Sequence, residues 1–326
     1  MEKLLRINAL QKHYKTKGLF GDKSTIKAVD GVSLEVEKGT TLGIVGESGC
    51  GKSSLAKTIL GIEELTGGSI YIGDQNLSEI NRSEKCSLIQ MIFQDPYNSL
   101  NPRKKAWELI GAPLIIKGEM DKDEIYKKSL EVMELVGLTK EMAHRYPHMF
   151  SGGQRQRIGI ARALITKPKV IICDEPISAL DVSIQAQIIN LLRNLQNELK
   201  LTYIFIGHDL SVIQHIAHEV AVMYLGKIVE RSSVDKVFNQ PAHPYTRALI
   251  NSSPVVDPSR SINDYEVIEG ELPSPANPPS GCHFHSRCKD AVNDCKRSYP
   301  SEFNLGDHYV KCHLYSPDKA SISSIE

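Results

Sequence analysis

The chain has 326 residues, and its 39 Lys and Arg residues balance 39 Asp and Glu residues, so the formal net charge is zero. Hydrophobic residues make up 41% and charged residues 24%, which excludes a disordered, a collagen-like or a basic nucleic-acid-coating chain. No apolar run approaches the roughly 20 residues of a membrane-spanning helix, and the N-terminus lacks the apolar segment of a secretion signal. We therefore expect a cytosolic protein.

The first 240 residues alternate strand-like and helix-like segments. Polar and apolar side chains alternate at residues 4–10 and 32–36, which predicts an antiparallel β layer at the edge. Three nearly continuous apolar runs predict strands buried on both faces, at residues 41–45, 170–173 and 202–206. Helical spacing follows at residues 53–60 and 184–199. This alternation predicts an α/β domain with a largely parallel central sheet.

Two segments depart from that pattern. Residues 97–150 carry helical spacing, clearest at residues 121–136, and predict a helical subdomain. From residue 255 prolines crowd together and periodicity fades, which predicts a loop-rich extension with little apolar surface and a mobile end after Tyr315. The predicted domains are residues 1–254, including the helical insert, and residues 255–326.

The segment Gly46-Glu-Ser-Gly-Cys-Gly51-Lys52-Ser53 fits the phosphate-loop pattern G-x-x-x-x-G-K-[ST] between a predicted strand and a predicted helix. Its amide groups and the helix N-terminus would point at a phosphate, Lys52 would contact the β- and γ-phosphates, and the Ser53 hydroxyl would bind Mg²⁺. A Gly-rich turn with an incidental Lys is the alternative. The predicted nucleotide contacts are Gly46, Glu47, Ser48, Gly49, Cys50, Gly51, Lys52, Ser53 and Ser54.

Cys50 lies inside this loop, beside the predicted helix N-terminus. The positive field there favours the thiolate, so we expect a lowered pKa and a cysteine whose alkylation blocks the site. The alternative is an inert small side chain that fills the loop.

Two acids follow the apolar run at residues 170–173, where α/β sheets bind ligands. Asp174 would hold Mg²⁺ through water, and Glu175 would be the general base that polarises the attacking water. For such a pair alone, a helix cap or a solvated turn is the alternative.

Ser151-Gly-Gly-Gln-Arg-Gln-Arg157 opens a predicted helix. Together with the two motifs above, it resembles the signature loop of the ATP-binding-cassette (ABC) ATPases, a family of P-loop NTPases; kinases and GTPases lack this segment. The resemblance implies that the loop grips the γ-phosphate of an ATP held by another subunit, so that the active form is a head-to-tail dimer enclosing two nucleotides. The loop residues are Ser151, Gly152, Gly153 and Gln154.

The same resemblance implies roles for other residues. Gln94 matches the glutamine that touches Mg²⁺ and reports to the membrane partner, and His208 matches the switch histidine at the γ-phosphate. Asp181 ends Ser178-Ala-Leu-Asp181, which is similar to the dimer-contact loop, and Tyr14 resembles the aromatic that stacks on adenine. Packing is the alternative for Tyr14, and a structural role is the alternative for a lone histidine. The implied catalytic set is Glu175, His208, Gln94 and Lys52.

Three further segments narrow the resemblance to the ATPase subunits of bacterial oligopeptide and dipeptide ABC importers: residues 94–103, 243–249 and 269–282. It covers residues 4–315 and implies an ATP-hydrolysing motor on the cytoplasmic face of the cell membrane. The implied partners are a second ATPase subunit, a paralogue or another copy, two membrane permease subunits and, indirectly, an extracytoplasmic peptide-binding protein.

Other functions compete with this interpretation. Relatives import nickel or metal-chelating molecules, so the substrate stays open. A non-transport cassette protein acting on ribosomes or DNA is less favoured, because the sequence has one cassette, no coiled coil and zero net charge, and we expect no nucleic-acid partner. A P-loop phosphotransferase is disfavoured by the signature loop.

Four of the seven cysteines fall within 31 residues near the C-terminus: Cys282, Cys288, Cys295 and Cys312. In a reducing cytosol, such a cluster is more typical of metal than of disulfides. The spacing C-x₅-C-x₆-C-x₁₆-C is wider than that of zinc modules, and the importer family carries a [4Fe–4S] cluster here. We therefore rank iron–sulfur first, zinc second and free thiols third. We expect the cluster to lie far from the phosphate loop, with no part in hydrolysis.

Overall fold

The computed structural model describes residues 2–17, 23–95, 97–118, 120–252 and 270–316. The predicted domain boundary after residue 254 lies outside these residues, as does the predicted mobile end after Tyr315, apart from Ser316. In the part of the chain that the structure describes, no helix is long and apolar enough to cross a membrane.

The strands position the site. In chain order they are β1 (Lys3–Lys17), β2 (Lys23–Glu37), β3 (Thr41–Val45), β4 (Gly67–Ile72), β5 (Gln75–Asn76), β6 (Ile89–Ile92), β7 (Val170–Asp174), β8 (Thr202–Ile206), β9 (Glu219–Tyr224), β10 (Lys227–Ser233), β11 (Phe303–Asn304) and β12 (Tyr309–Val310).

The described strands form two sheets. The smaller sheet has the order β2–β1–β4–β5 and is antiparallel throughout, which confirms the predicted edge layer. The larger sheet has the order β11–β12–β10–β9–β3–β8–β7–β6, and its strands from β9 to β6 are parallel. Every residue of β3 and of β8 is buried, as expected of parallel strands that are covered on both faces. The predicted parallel core is therefore confirmed.

The helices occupy the connections between the strands. They are α1 (Lys52–Ile59), α2 (Arg82–Leu88), α3 (Ala106–Ile110), α4 (Ala112–Lys117), α5 (Lys122–Leu135), α6 (Gly152–Leu164), α7 (Val182–Leu199), α8 (Leu210–Ile216), α9 (Val234–Asn239), α10 (Pro244–Asn251) and α11 (Asn293–Arg297).

The predicted helical insert corresponds to α3, α4 and α5, followed by two short 3₁₀ turns. Helix α5 begins after Asp121, whose side chain accepts a hydrogen bond from the Glu124 amide and so caps the helix. Trp107, Ile125 and Met133 are buried in the same hydrophobic core as helix α6. Helix α6 begins in the SGGQ segment, so this packing connects the helical insert to the signature loop.

In residues 270–316, the part of the C-terminal extension that the structure describes, regular structure is scarce, as predicted, but this part is not separate from the domain. Strand β12 pairs with β10 through Val310 and Glu230, so the extension adds to the edge of the larger sheet. Phe284 is 2% exposed and belongs to the main hydrophobic core. The expectation of little apolar surface in the extension was therefore wrong for this aromatic side chain.

Candidate nucleotide-binding and catalytic site

A cavity of about 660 Å³ opens at the carboxyl ends of the parallel strands. The phosphate loop follows β3, Gln94 follows β6, Glu175 follows β7 and His208 follows β8, so one edge of the sheet brings them together. The predicted residues that line this cavity are Tyr14, Ser48, Gly49, Gly51, Lys52, Ser53, Ser54, Gln94, Glu175 and His208.

The phosphate loop depends on glycine where it approaches other backbone. Gly51 has a φ of 111°, and a Cβ there would lie 2.0 Å from the carbonyl oxygen of Ala28. Only glycine fits this position, and it directs the chain into α1. The Lys52 ammonium group donates to the carbonyl oxygens of Gly46 at 2.7 Å and of Glu47 at 3.0 Å. The loop thus holds its lysine folded back over its own backbone.

Glu175 is held between two other predicted residues. The Gln94 amide nitrogen donates to one carboxylate oxygen of Glu175 at 2.7 Å, and Nδ1 of His208 lies 3.3 Å from the other. The Glu175 backbone is in the left-handed region, with φ of 46°, and its amide donates to the Ile206 carbonyl at 2.9 Å. A non-glycine residue in this conformation is strained, and such strain concentrates at functional sites.

Asp174 ends β7 and interacts with Lys52 and Ser53, the first residues of α1. Burial, followed by the neighbouring Glu175 charge, raises the pKa of Asp174, while Lys52 and a hydrogen bond with Ser53 oppose that shift. The hydroxyl of Ser53 and the carboxylate of Asp174 are hard oxygen donors, which Mg²⁺ prefers. These two side chains and Gln94 therefore fit the magnesium site that the sequence predicts.

The prediction of a lowered pKa for Cys50 was wrong. The side chain is 1% exposed, and burial raises its pKa despite the nearby Lys52 ammonium group. The desolvation penalty on a thiolate outweighs the field of the helix N-terminus at this position. Cys50 fills space beneath the loop.

The signature loop and the dimer-contact loop lie outside the cavity of this chain. Ser151 caps α6, its hydroxyl accepting from the Gln154 amide at 3.3 Å while the Gln154 side chain accepts from the Ser151 amide. A Cβ on Gly153 would lie 2.6 Å from the Ile184 side chain, so a glycine lets α6 approach α7. Asp181 is the residue before α7. Ser151, at the N-terminal end of α6, is exposed, whereas Gly153 is buried.

Two parts of the cavity wall were not predicted from the sequence. Ile26 and Ala28 of β2 lie beside Tyr14, whose hydroxyl donates to Ser54 Oγ at 3.4 Å. Pro275 of the C-terminal extension also lines the cavity. Ile26 and Ala28 follow the alternation of a β strand, a pattern that indicates burial and not a ligand contact. Pro275 belongs to no motif.

The extension also reaches the phosphate loop itself. The Arg287 guanidinium forms two hydrogen bonds to the Glu47 carboxylate, at 2.7 and 3.0 Å. The Glu47 amide donates to the Tyr245 hydroxyl at 2.8 Å. The fold thus returns residues of the extension to the phosphate loop across about 240 residues of sequence.

The four clustered cysteines approach one another in the fold. Burial raises the pKa of Cys282 to about 12 and that of Cys312 to about 11, and the charges of the other clustered cysteines add to both shifts. The Cys282 amide donates to the Cys295 carbonyl at 2.8 Å. Across the described ranges, however, no three His, Cys, Asp or Glu side chains are grouped so that they hold a metal ion. Four soft thiol donors are chemically suited to an iron–sulfur cluster. A preformed site for a single metal ion is not found in the described residues.

Comparison with known families supports an ABC cassette followed by a specialised C-terminal region. A family profile described as ABC transporter matches residues 29–178. A second, described as oligopeptide/dipeptide transporter, C-terminal region, matches residues 229–295. The second match covers the part of the chain where α10 and the extension meet the phosphate loop.

Relatives match over nearly the full length. The dipeptide transport ATP-binding protein DppF of Escherichia coli is 48% identical over 97% of this chain and 96% of its own length. The oligopeptide transport ATP-binding protein AppF of Bacillus subtilis is 49% identical over 97% of this chain and 98% of its own.

Solved structures show the same fold. The ATP-binding cassette MJ0796, solved as a dimer in a post-hydrolysis state bound to ADP and phosphate, superposes with a TM-score of 0.62 at 30% identity. The match covers 71% of this chain and 99% of that one. The mixed sheets and helices described above are therefore those of the ABC ATPases.

Proposed function

This chain is an ATPase of the ABC transporter family with the oligopeptide/dipeptide C-terminal region, and we propose that it drives the import of di- and oligopeptides. The observation that supports its chemistry best is the Glu175 carboxylate, held by Gln94 and His208 at the edge of a cavity lined by a phosphate loop. The full-length similarity to dipeptide and oligopeptide transport proteins supports the substrate class.

In the proposed reaction the loop amides, the α1 N-terminus and Lys52 bind the phosphates of ATP. Ser53, Asp174 and Gln94 would hold magnesium, which would neutralise charge on the phosphates. Glu175 accepts a proton from water as the water oxygen bonds to the γ-phosphorus and the bond to the β-phosphate oxygen breaks. His208 donates a hydrogen bond toward the γ-phosphate, and Tyr14 stacks on the adenine.

The active form in this proposal is a dimer. Ser151, Gly152 and Gly153 lie outside the cavity of their own chain, at a helix N-terminus suited to an anion. A second subunit would present this loop to the bound ATP, and the loop around Asp181 would complete the contact. In this dimer, two ATP molecules are bound between the two cassettes.

The membrane partners are proposed from the insert. Gln94 follows β6 and precedes the helical insert, so a change at the nucleotide can reach α3, α4 and α5 through the contact with Glu175. We place the chain at the cytoplasmic face of the membrane, with two permease subunits against the insert and a peptide-binding protein outside.

We also propose a [4Fe–4S] cluster on Cys282, Cys288, Cys295 and Cys312. The support is the four-thiol donor set and the mutual proximity of the four cysteines, of which all but Cys288 are buried. Zinc is the alternative. The chemistry that such a cluster supplies here is a covalent tie for a segment with little secondary structure.

The function is tested with the assembled transporter in proteoliposomes. ATP hydrolysis and uptake of a labelled dipeptide should both require this chain and should both be lost when Glu175→Gln replaces it. Uptake of a nickel chelate without peptide uptake would replace peptide import with metal-chelate import. Hydrolysis without binding to any permease would contradict a transport role.

A further inference from the structure

Glu47 is the one acidic side chain in the phosphate loop sequence, and the C-terminal extension binds it. Two nitrogens of Arg287 contact the two carboxylate oxygens, at 2.7 and 3.0 Å. The Arg287 side chain is 6% exposed and that of Glu47 is 24% exposed. A two-point pair between a guanidinium and a carboxylate, largely shielded from water, fixes both position and charge.

The backbone of the same loop residue is also fixed. The Glu47 amide donates to the hydroxyl of Tyr245, which is fully buried, and the Glu47 carbonyl accepts from the Lys52 ammonium group. Tyr245 belongs to α10, the helix that precedes the extension. The Cys50 amide also donates to the Glu47 carbonyl, at 3.3 Å. Every polar group of Glu47 thus has a partner, and the partners of its amide and its carboxylate come from outside the phosphate loop.

An aromatic cluster anchors Arg287 to the domain. Phe284 of the extension packs against Tyr224 at 5.3 Å and Tyr245 at 5.3 Å between ring centroids, and these two tyrosines lie 4.6 Å apart. Arg287 also donates to the Tyr224 hydroxyl at 3.4 Å. Since Tyr224 ends β9, which pairs with β3, the cluster positions Arg287 relative to the strand that leads into the phosphate loop.

The charge of Glu47 would oppose nucleotide binding if it were left alone. The loop must hold a triphosphate, and a carboxylate in its backbone turn repels that anion. Arg287 cancels this charge without occupying the cavity, which it does not line. Two other residues of the extension also lie near the phosphate loop. Leu272 is 3.8 Å from the position that a Cβ on Gly49 would take, and Pro275 lines the nucleotide cavity.

We propose that Arg287 is a positioning residue of the nucleotide site: it holds and neutralises Glu47, so that the C-terminal extension forms part of the ATP site of its own chain. This inference rests on the proposed function, which supplies Mg²⁺–ATP as the ligand. In this proposal, the affinity for nucleotide depends on the C-terminal extension as well as on the cassette motifs.

The test measures the Kd of Mg²⁺–ATP and the hydrolysis rate for the full-length chain. Arg287→Gln should raise both Kd and KM about tenfold and leave kcat within about twofold, because the catalytic residues are untouched. Arg287→Lys should recover part of the affinity. The matched control is Arg297→Gln, which changes an exposed arginine of the same extension and should leave Kd unchanged.

A second substitution separates charge from general damage. Adding Glu47→Gln to Arg287→Gln removes the unpaired carboxylate and should recover most of the lost affinity. An unchanged Kd in Arg287→Gln overturns the proposal, and so does a weakened Kd that the added Glu47→Gln fails to improve. If the unaltered chain itself binds no Mg²⁺–ATP, the proposed function fails instead.

Discussion

The side-chain amide of Gln94 donates to the Glu175 carboxylate over 2.7 Å. One residue follows β6 and leads into the helical insert, while the other follows β7 at the nucleotide cavity. Any displacement of the insert that moves Gln94 therefore changes the surroundings of the proposed general base. The same hydrogen bond offers a physical route by which membrane subunits and hydrolysis influence each other.

Replacement of the proposed base tests the catalytic site. Glu175→Gln keeps the size of the side chain but removes the proton acceptor, so hydrolysis should fall about 10²- to 10⁴-fold. ATP binding should persist and should trap a dimer, visible by size-exclusion chromatography. Glu198→Gln on the exposed face of α7 is the matched control. Hydrolysis that survives in Glu175→Gln would remove this residue from the reaction.

Replacement of the loop lysine should act on binding. Lys52→Ala removes a charged donor to the phosphates, and one such hydrogen bond contributes about 1.5–3 kcal/mol, or roughly a 10- to 100-fold change in Kd. Titration with a fluorescent ATP analogue measures the loss. Lys127→Ala, on the exposed surface of α5, should bind as the unaltered chain does. Equal affinities in the two variants would contradict the phosphate contact.

The sequence predicted the parts of the site that recur as local patterns. The loop that ends in Lys52 and the acids after β7 are short segments whose spacing carries their chemistry, and the parallel sheet places them together. The pair between Glu47 and Arg287 was missed, because nothing local links residues 240 positions apart. The thiol of Cys50 was misjudged for a related reason, since a helix N-terminus is visible in sequence and burial by distant strands is not.

Cysteine reactivity should follow exposure. Cys86 is exposed and Cys50 is 1% exposed with a raised pKa, so iodoacetamide should alkylate Cys86 well before Cys50 in the folded chain. Mass spectrometry of peptides from timed samples measures both rates. Urea-unfolded protein, in which the two should react alike, is the control. Rapid, ATP-protected modification of Cys50 would restore the reactive thiol that its burial argues against.

The proposed cluster has a direct chemical test. Protein purified without oxygen should be brown and carry about four irons per chain, and Cys288→Ser should lose both iron and colour. Cys86→Ser is the control, since it lies on α2, away from the extension.

Two analytical outcomes would replace this assignment. One zinc and no iron would make the site a structural zinc centre. No metal at all would leave four thiols. Because Phe284 and β12 still bind the extension to the domain, limited proteolysis of Cys288→Ser should cut the extension faster but should not release it from the folded cassette.

His243 makes stability depend on pH. Its side chain is 2% exposed, Nδ1 accepts from the Tyr245 amide at 3.0 Å, and burial lowers its pKa from 6.5 to about 4. Between these values the unfolded chain binds a proton that the folded chain does not. Folding stability should therefore be highest above pH 6.5 and should fall as the pH drops toward 4.

His243→Asn keeps a side chain that can cap α10 but no longer titrates. From pH 7 to pH 5 the unaltered chain should lose about 2 kcal/mol more unfolding free energy than His243→Asn, as measured by urea denaturation at each pH. His148→Asn, at an exposed histidine, should retain the full pH dependence of the unaltered chain. Parallel curves for the His243 and His148 variants would show that another group sets the acid sensitivity.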